Sequence, residues 1–373
     1  MLRPIFRFLH HHILPAGSAS RVDMPSGFRL SWGDRKPESR YDMKILVLPP
    51  PSLRANLFSP EVDERLGALG DVTANSEERN YTAEELADLI PGFDACLTSW
   101  GSPAFTPEVV ENADSLKVIS HAAGSVRHMI SPAVFERGIA VCSAQPAMAV
   151  SVAAMTVAMM EIMLRNVVNW AVSIRSQGKW RPEGVAKARE LNGKRVGIIG
   201  ASLIGREVIR HLQSFDVEIW IRDPFISAAD ARGLGAKKVS LKRLFAECDV
   251  ISLHAPLNEQ TRGMITGEHL KLIREGAVFI NTARGAIVDH QALLEELRTG
   301  RFTAALDVTD PEPLPEGHEF FALENVVFTP HISGGTPEMV RRQGEAAVRN
   351  LEAFFSGGVP NRLITPEMIE HIA

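Results

Sequence analysis

The sequence predicts an α/β protein built from two doubly wound, parallel-sheet domains. Two stretches carry that prediction, 44–122 and 195–330, in which short apolar strands alternate with amphipathic helices. A third observation is a glycine-containing turn, VGIIGASLIGREV (196–208), between the first strand and first helix of the second stretch.

In the first stretch, KILVL (44–48), DVTAN (71–75), ACLTS (95–99) and LKVISHA (116–122) read as strands. PEVDERLGALG (60–70), TAEELADLI (82–90) and TPEVVENA (106–113) read as the helices between them. Such alternation implies a parallel sheet covered on both faces. One long helix is expected over 151–177, apolar around most of its circumference and so core or subunit interface. The second stretch opens at RVGIIG (195–200) and continues through strands 217–223, 237–239, 249–255, 277–283, 303–308 and 326–330. Helices at 203–215, 240–248, 266–273 and 290–300 supply the crossovers of a doubly wound dinucleotide domain. A closing helix, 337–358, is expected to pack back on the first domain.

Composition narrows the class. The chain is 45% hydrophobic and 23% charged with a formal net charge of -5, an ordinary globular balance. Scattered Lys and Arg, outnumbered by acids, argue against a nucleic-acid partner, and no unbroken run of about 18 apolar residues suggests a membrane span. Cys96, Cys142 and Cys248 lie apart in apolar runs, as buried free thiols of a reducing, cytoplasmic setting do, and no metal-ligand spacing is evident. Residues 1–42 lack periodicity and are more basic than the rest. They read as an upstream extension, disordered and dispensable, with the folded part starting near Met43.

The glycine turn departs from G-x-G-x-x-G at its middle position: Gly200, Ser202, Gly205. It nevertheless follows a strand and opens a helix, and Asp223 ends the next strand 18 residues after Gly205, near the expected offset. Gly200 makes the turn, Gly205 lets helix and strand pack closely, and the amides of Leu203 and Ile204 face a pyrophosphate. Asp223 accepts hydrogen bonds from an adenosine ribose, favouring NAD over NADP, although Arg222 could turn toward a 2′-phosphate. Ser202 either pushes the pyrophosphate outward with its Cβ or donates to it through its hydroxyl.

Beyond the turn, ELNGKRVGIIG (190–200), LHAPLNEQTRGMI (253–265), NTARGAIVDHQAL (281–293), LDVTDPEPLP (306–315) and TPHISG (329–334) occur in one order. In them the chain resembles the D-isomer-specific 2-hydroxyacid dehydrogenase family. The resemblance implies two Rossmann-like domains, a dinucleotide domain over 147–330 inserted in a smaller flavodoxin-like substrate domain formed by 43–146 and 331–373. It implies an NAD-dependent oxidoreductase interconverting a small 2-keto acid and a D-2-hydroxy acid, and a homodimer that helix 151–177 could serve. By the same resemblance Arg284 engages the substrate carboxylate and carbonyl, His331 is the acid/base, and Glu312 is its carboxylate partner. These residue types suit the reaction: a guanidinium forks onto a carboxylate, and an imidazole backed by a carboxylate supplies a proton. The resemblance also places His254, Pro256, Thr261, Thr282 and Ala283 along the cofactor, and gives Asp307 either the nicotinamide amide or the loop holding Glu312.

The substrate loop departs from the family. Where G-x-G-x-D is usual, HAAGSVRH (121–128) offers Ala123, Gly124 and Ser125, whose amides could still cradle a carboxylate. Arg127 stands in place of an acid, reaching either a second anionic group or only solvent or a structural ion pair. Trp100 either walls the other side of this pocket or packs under the loop. A rival function on the same fold is a dinucleotide-sensing, corepressor-like interaction protein.

Overall fold

The first sheet is assembled from β1 (Met43–Val47), β2 (Gly70–Ala74), β3 (Ala95–Thr98), β4 (Val118–His121) and β5 (Ala140–Ser143), all parallel, in the order β2-β1-β3-β4-β5. That is the flavodoxin-like order, whose switch point lies between β1 and β3. Helices α1 (Pro51–Leu57), α2 (Pro60–Leu69), α3 (Ala83–Leu89), α4 (Pro107–Asn112) and α5 (Pro132–Glu136) connect the strands. The structure, a computed structural model, describes residues 43–369, so the expected disorder of 1–42 falls outside the described residues.

Two helices follow where one was expected: α6 (Gln145–Leu164) and α7 (Val167–Gln177). Asn166 breaks them with a left-handed backbone (φ 56°), which an asparagine tolerates better than most residues. The second sheet then runs β6 (Arg195–Ile199), α8 (Leu203–Leu212), β7 (Glu218–Arg222), α9 (Ala228–Gly233), β8 (Lys237–Lys238), α10 (Leu241–Glu247) and β9 (Val250–Leu253). It continues through α11 (Gly267–Lys271), β10 (Val278–Asn281), α12 (His290–Arg298), β11 (Thr303–Leu306) and β12 (Val326–Phe328). Its order is β12-β11-β10-β9-β6-β7-β8, a complete dinucleotide-type sheet with its switch point between β6 and β9. Last come α13 (Pro337–Phe355), β13 (Leu363–Ile364), antiparallel to β5, and α14 (Pro366–Ile369). Helices α1 and α5 and strands β5 and β13 were not read from the sequence. They are short, and periodicity needs several repeats before it shows.

Burial explains the strand sequences. Every residue of β3, β4, β5, β9 and β10 is buried, as both faces of each sheet carry helices. Several helices start with a serine or threonine followed by proline: the hydroxyls of Ser59, Thr106 and Thr336 accept the amides of Val62, Val109 and Met339. As expected, α13 packs back on the first sheet. Ser120 Oγ donates to Ala347 O at 2.9 Å, and a Cβ on Gly344 would lie 2.0 Å from Leu57 O.

Helix α6 lies where a core or interface helix was expected. With a mean hydropathy of 1.9 it has the length and composition of a membrane-crossing helix, although its alanines, serines and threonines interrupt any purely apolar run. In the fold it is a shared core helix, packed on α8 and β10 of the second sheet and on α13. Ser151 on α6 accepts Arg342 Nη2 of α13 at 2.8 Å. The three cysteines are free and buried.

Candidate active site

Strand β6 leads into Gly200, whose φ of 102° lies in the region that favours glycine. A Cβ there would sit 2.7 Å from Ala255 N and 2.8 Å from the His254 carbonyl carbon, so the exits of β6 and β9 touch backbone to backbone. At Gly205 a Cβ would meet Gly200 O at 2.1 Å, and α8 therefore starts directly on the turn. Ser202, between them, has an extended backbone (φ -62°, ψ 175°) that does not call for glycine. It caps α8: its Oγ accepts the Gly205 amide at 3.2 Å. The hydroxyl hydrogen stays free to donate, and the first-turn amides of Leu203 and Ile204 have no acceptor within the helix.

Asp223 is pinned across this turn. Its Oδ2 accepts the Ala201 amide at 2.7 Å and its Oδ1 the Phe225 amide at 2.8 Å, and each oxygen keeps a lone pair for a ribose hydroxyl. Around the turn lies a cavity of about 600 Å³. It brings together Gly200, Ser202, Leu203, Ile204, Asp223, His254, Pro256, Thr261, Thr282, Ala283 and Arg284. Thr261 shapes its edge, accepting the Asn258 amide and donating to Pro256 O. Thr282 Oγ1 lies 3.0 Å from Thr156 Oγ1 of α6. Gly205 and Asp307 do not line it. Gln145, Arg206, Phe225 and Arg362 do, without having been singled out from the sequence. Its charged lining, Arg206, Arg222, Arg284 and Arg362 against Asp223 alone, suits an anionic ligand such as a dinucleotide.

A histidine–glutamate pair forms at the exits of β11 and β12. His331 Nδ1 and Glu312 Oε1 are 2.6 Å apart, both partly exposed. His331 holds a positive φ of 54°, and Asp307 is the reason it stays there. The His331 amide donates to Asp307 O at 2.9 Å. The buried Asp307 carboxylate accepts the amides of Ile332 (2.9 Å) and Ser333 (3.0 Å) and the Thr329 hydroxyl. Asp307 thus ties down the histidine's loop, neither the Glu312 loop nor a wall of the cavity. Arg284 projects from the turn after β10, where the buried Asn281 accepts the Ala283 amide and donates to Arg284 O. A Cβ on Gly285 would lie 2.1 Å from Thr309 O, so the arginine turn abuts the segment leading to Glu312.

On the first sheet, Thr98 Oγ1 pairs with His121 Nδ1 at 2.9 Å and Ser99 Oγ donates to Ala122 O at 3.1 Å, fixing the start of the 121–126 loop. None of residues 122–125 has a positive φ, so the loop folds without the family's glycines. Ala123 and Gly124 are buried, Ser125 is half-buried and Trp100 is exposed; none lines the cavity. Arg127 is exposed and forms no ion pair among the described residues. Met148 of α6 joins the parts: a Cβ on Gly124 would lie 3.0 Å from its Cε, and one on Gly334 3.3 Å from its Cγ. The 121–126 loop and the His331 loop therefore meet over one side chain.

Two other histidines, His121 and His254, are buried. Burial pushes His121 down to about 3, with the nearby His128 adding to the effect, and burial alone pushes His254 down to about 3. In the unfolded chain both titrate near about 6.5, so between roughly pH 3 and 6.5 the unfolded state binds more protons. Their contribution to stability is complete above about pH 6.5 and is lost as pH falls toward about 3. The urea midpoint is expected to drop on acidification through that window, and more shallowly in His254→Asn; identical slopes in variant and wild type would remove the histidine from the acid response.

Residues 157–333 match the family model described as D-isomer specific 2-hydroxyacid dehydrogenase, NAD binding domain. The hydroxypyruvate reductase of Thermotoga maritima is 35% identical over 285 residues, covering 74% of this chain and 91% of that protein. The D-3-phosphoglycerate dehydrogenase of Methanocaldococcus jannaschii is 32% identical over 324 residues, which are 86% of this chain and only 59% of that longer protein. Among solved structures, the TT0316 protein of Thermus thermophilus superposes with a TM-score of 0.66 at 32% identity, over 87% of this chain and 100% of its own. Sequence and architecture agree across both sheets: the chain belongs to the D-isomer specific 2-hydroxyacid dehydrogenase family, oxidoreductases that use a nicotinamide dinucleotide.

Proposed function

We propose that this protein interconverts a small 2-keto acid and its D-2-hydroxy acid, with the dinucleotide held by the sheet of 147–330 and the substrate by 43–146 with 331–373. The observation that carries the reading is the 2.6 Å His331–Glu312 pair, locked by Asp307 beside a cavity that Arg284 lines. A dinucleotide sensor on the same fold has no use for a proton relay.

A dinucleotide held by the Gly200–Ile204 turn and Asp223 would supply the hydride that the keto carbon receives. Arg284 holds the carboxylate by a forked pair of N–H donors and polarises the carbonyl oxygen, on which charge develops. The protonated His331 gives its proton to that oxygen, and Glu312 at Nδ1 keeps the charged imidazole oriented. In the reverse direction neutral His331 takes the hydroxyl proton. His331→Ala is expected to lower kcat about 10²–10⁴-fold in NADH oxidation with a panel of 2-keto acids. The dissociation constant for NADH should hardly move, because proton donor and hydride donor occupy different parts of the site. Near-normal turnover in that variant would defeat the assignment.

We infer a preference for NAD over NADP, supported by the pinned Asp223 carboxylate, which repels a 2′-phosphate. kcat/KM should be higher with NADH than with NADPH; equal or better use of NADPH refutes the inference.

We also propose a cytoplasmic homodimer. Helix α7 buries none of its residues, and it leaves Val167, Val168 and Val172 exposed, with Trp180 just beyond. Such a patch fits a second copy of the chain better than solvent. Sedimentation should show a dimer that Val172→Asp weakens, and a wild-type monomer at micromolar concentration would refute the proposal.

A further inference from the structure

The chain leaves α13, turns through Gly357–Pro360 and returns to the first sheet as β13. The residue before β13 is Arg362. Its backbone is fixed from both sides: Ser143 of β5 donates to Arg362 O at 3.0 Å, and Asn361 N–H donates to the buried Asn350 Oδ1 at 3.0 Å. Asn350 in turn donates to Ser143 O at 3.4 Å. On this rigid base the Arg362 side chain reaches the cavity that Gly200–Ile204 line from the second sheet.

The side chain is out of balance with its surroundings. It is half-buried, its Nε is sealed from solvent with no hydrogen-bond partner, and it forms no ion pair among the described residues. Burial accordingly depresses its pKa. Taking a guanidinium out of water without an anion is unfavourable, and five N–H donors in a rigid fork match a phosphate or carboxylate. The acid in the same cavity, Asp223, is already held by two backbone amides. The remaining groups at the turn, the Leu203 and Ile204 amides and the Ser202 hydroxyl, are donors too. Donors converging from two sheets call for an anion between them.

We propose that Arg362 binds the pyrophosphate of the dinucleotide from the side opposite the glycine turn, a contact supplied by the C-terminal segment across the cleft. The assignment rests on the dinucleotide reading of the cavity. It also means that the cofactor ties the two sheets together through one guanidinium. Because the side chain makes no hydrogen bond or ion pair among the described residues, its replacement leaves the fold standing.

Full-length wild type, Arg362→Gln and Arg362→Lys are titrated with NADH by fluorescence and with ADP-ribose by calorimetry. Adenosine, which lacks phosphate, is followed by ligand-observed NMR. Loss of a charge-assisted hydrogen bond weakens binding by about tenfold or more. Arg362→Gln should lose that much for NADH and ADP-ribose, with a flatter salt dependence and unchanged adenosine binding, and Arg362→Lys should recover part. The proposal is overturned if Arg362→Gln binds NADH within about twofold of wild type, if adenosine weakens equally, or if only the KM for the keto acid rises. Wild-type protein that binds neither NADH nor ADP-ribose would overturn the cofactor reading and this proposal with it.

Discussion

The contact on which the site depends is the one at Gly200, where the exits of β6 and β9 approach so closely that no Cβ fits between them. A parallel sheet buried on both faces offers a ligand only the crevice outside its strand ends, at the point where strand order reverses. Closing the backbone there aims the first turn of α8 and the Asp223 carboxylate into one cavity. Gly205 repeats the constraint at the helix, whose amide end would otherwise stand off from the turn. Ser202 shows how specific the demand is: with an extended backbone it needs no glycine, and its hydroxyl caps the helix instead.

The His331–Glu312 pair obeys a second constraint, set by a buried charge. A carboxylate as buried as that of Asp307 must be met by donors, and here the donors are the amides of the loop that carries His331. Satisfying Asp307 holds His331 in a left-handed conformation that few non-glycine residues adopt, with its ring against Glu312. One buried acid thereby orients His331 through the backbone, without touching its ring.

Helix α6 connects these local devices. Its apolar surface is shared by the core of the second sheet and by α13, and Met148 near its start touches both the 121–126 loop and the His331 loop. A helix so uniformly apolar would suit a membrane if taken alone; packed elements on several sides give it a different place.

The sequence by itself determined the two alternating sheets, the glycine turn, the acid 18 residues beyond it and the segments holding Arg284, Glu312 and His331. All of these are written in contiguous residues, where strand, turn and helix chemistry act locally. It left unread the break at Asn166, the short β5 and β13, the loop-tying role of Asp307, and Met148 and Arg362. Tertiary structure decided those because each depends on a neighbour far along the chain. Asp307 meets amides more than twenty residues away, and Arg362 faces a turn some 160 residues earlier. No spacing in the sequence encodes such a meeting; only the packing of two sheets around α6 brings it about.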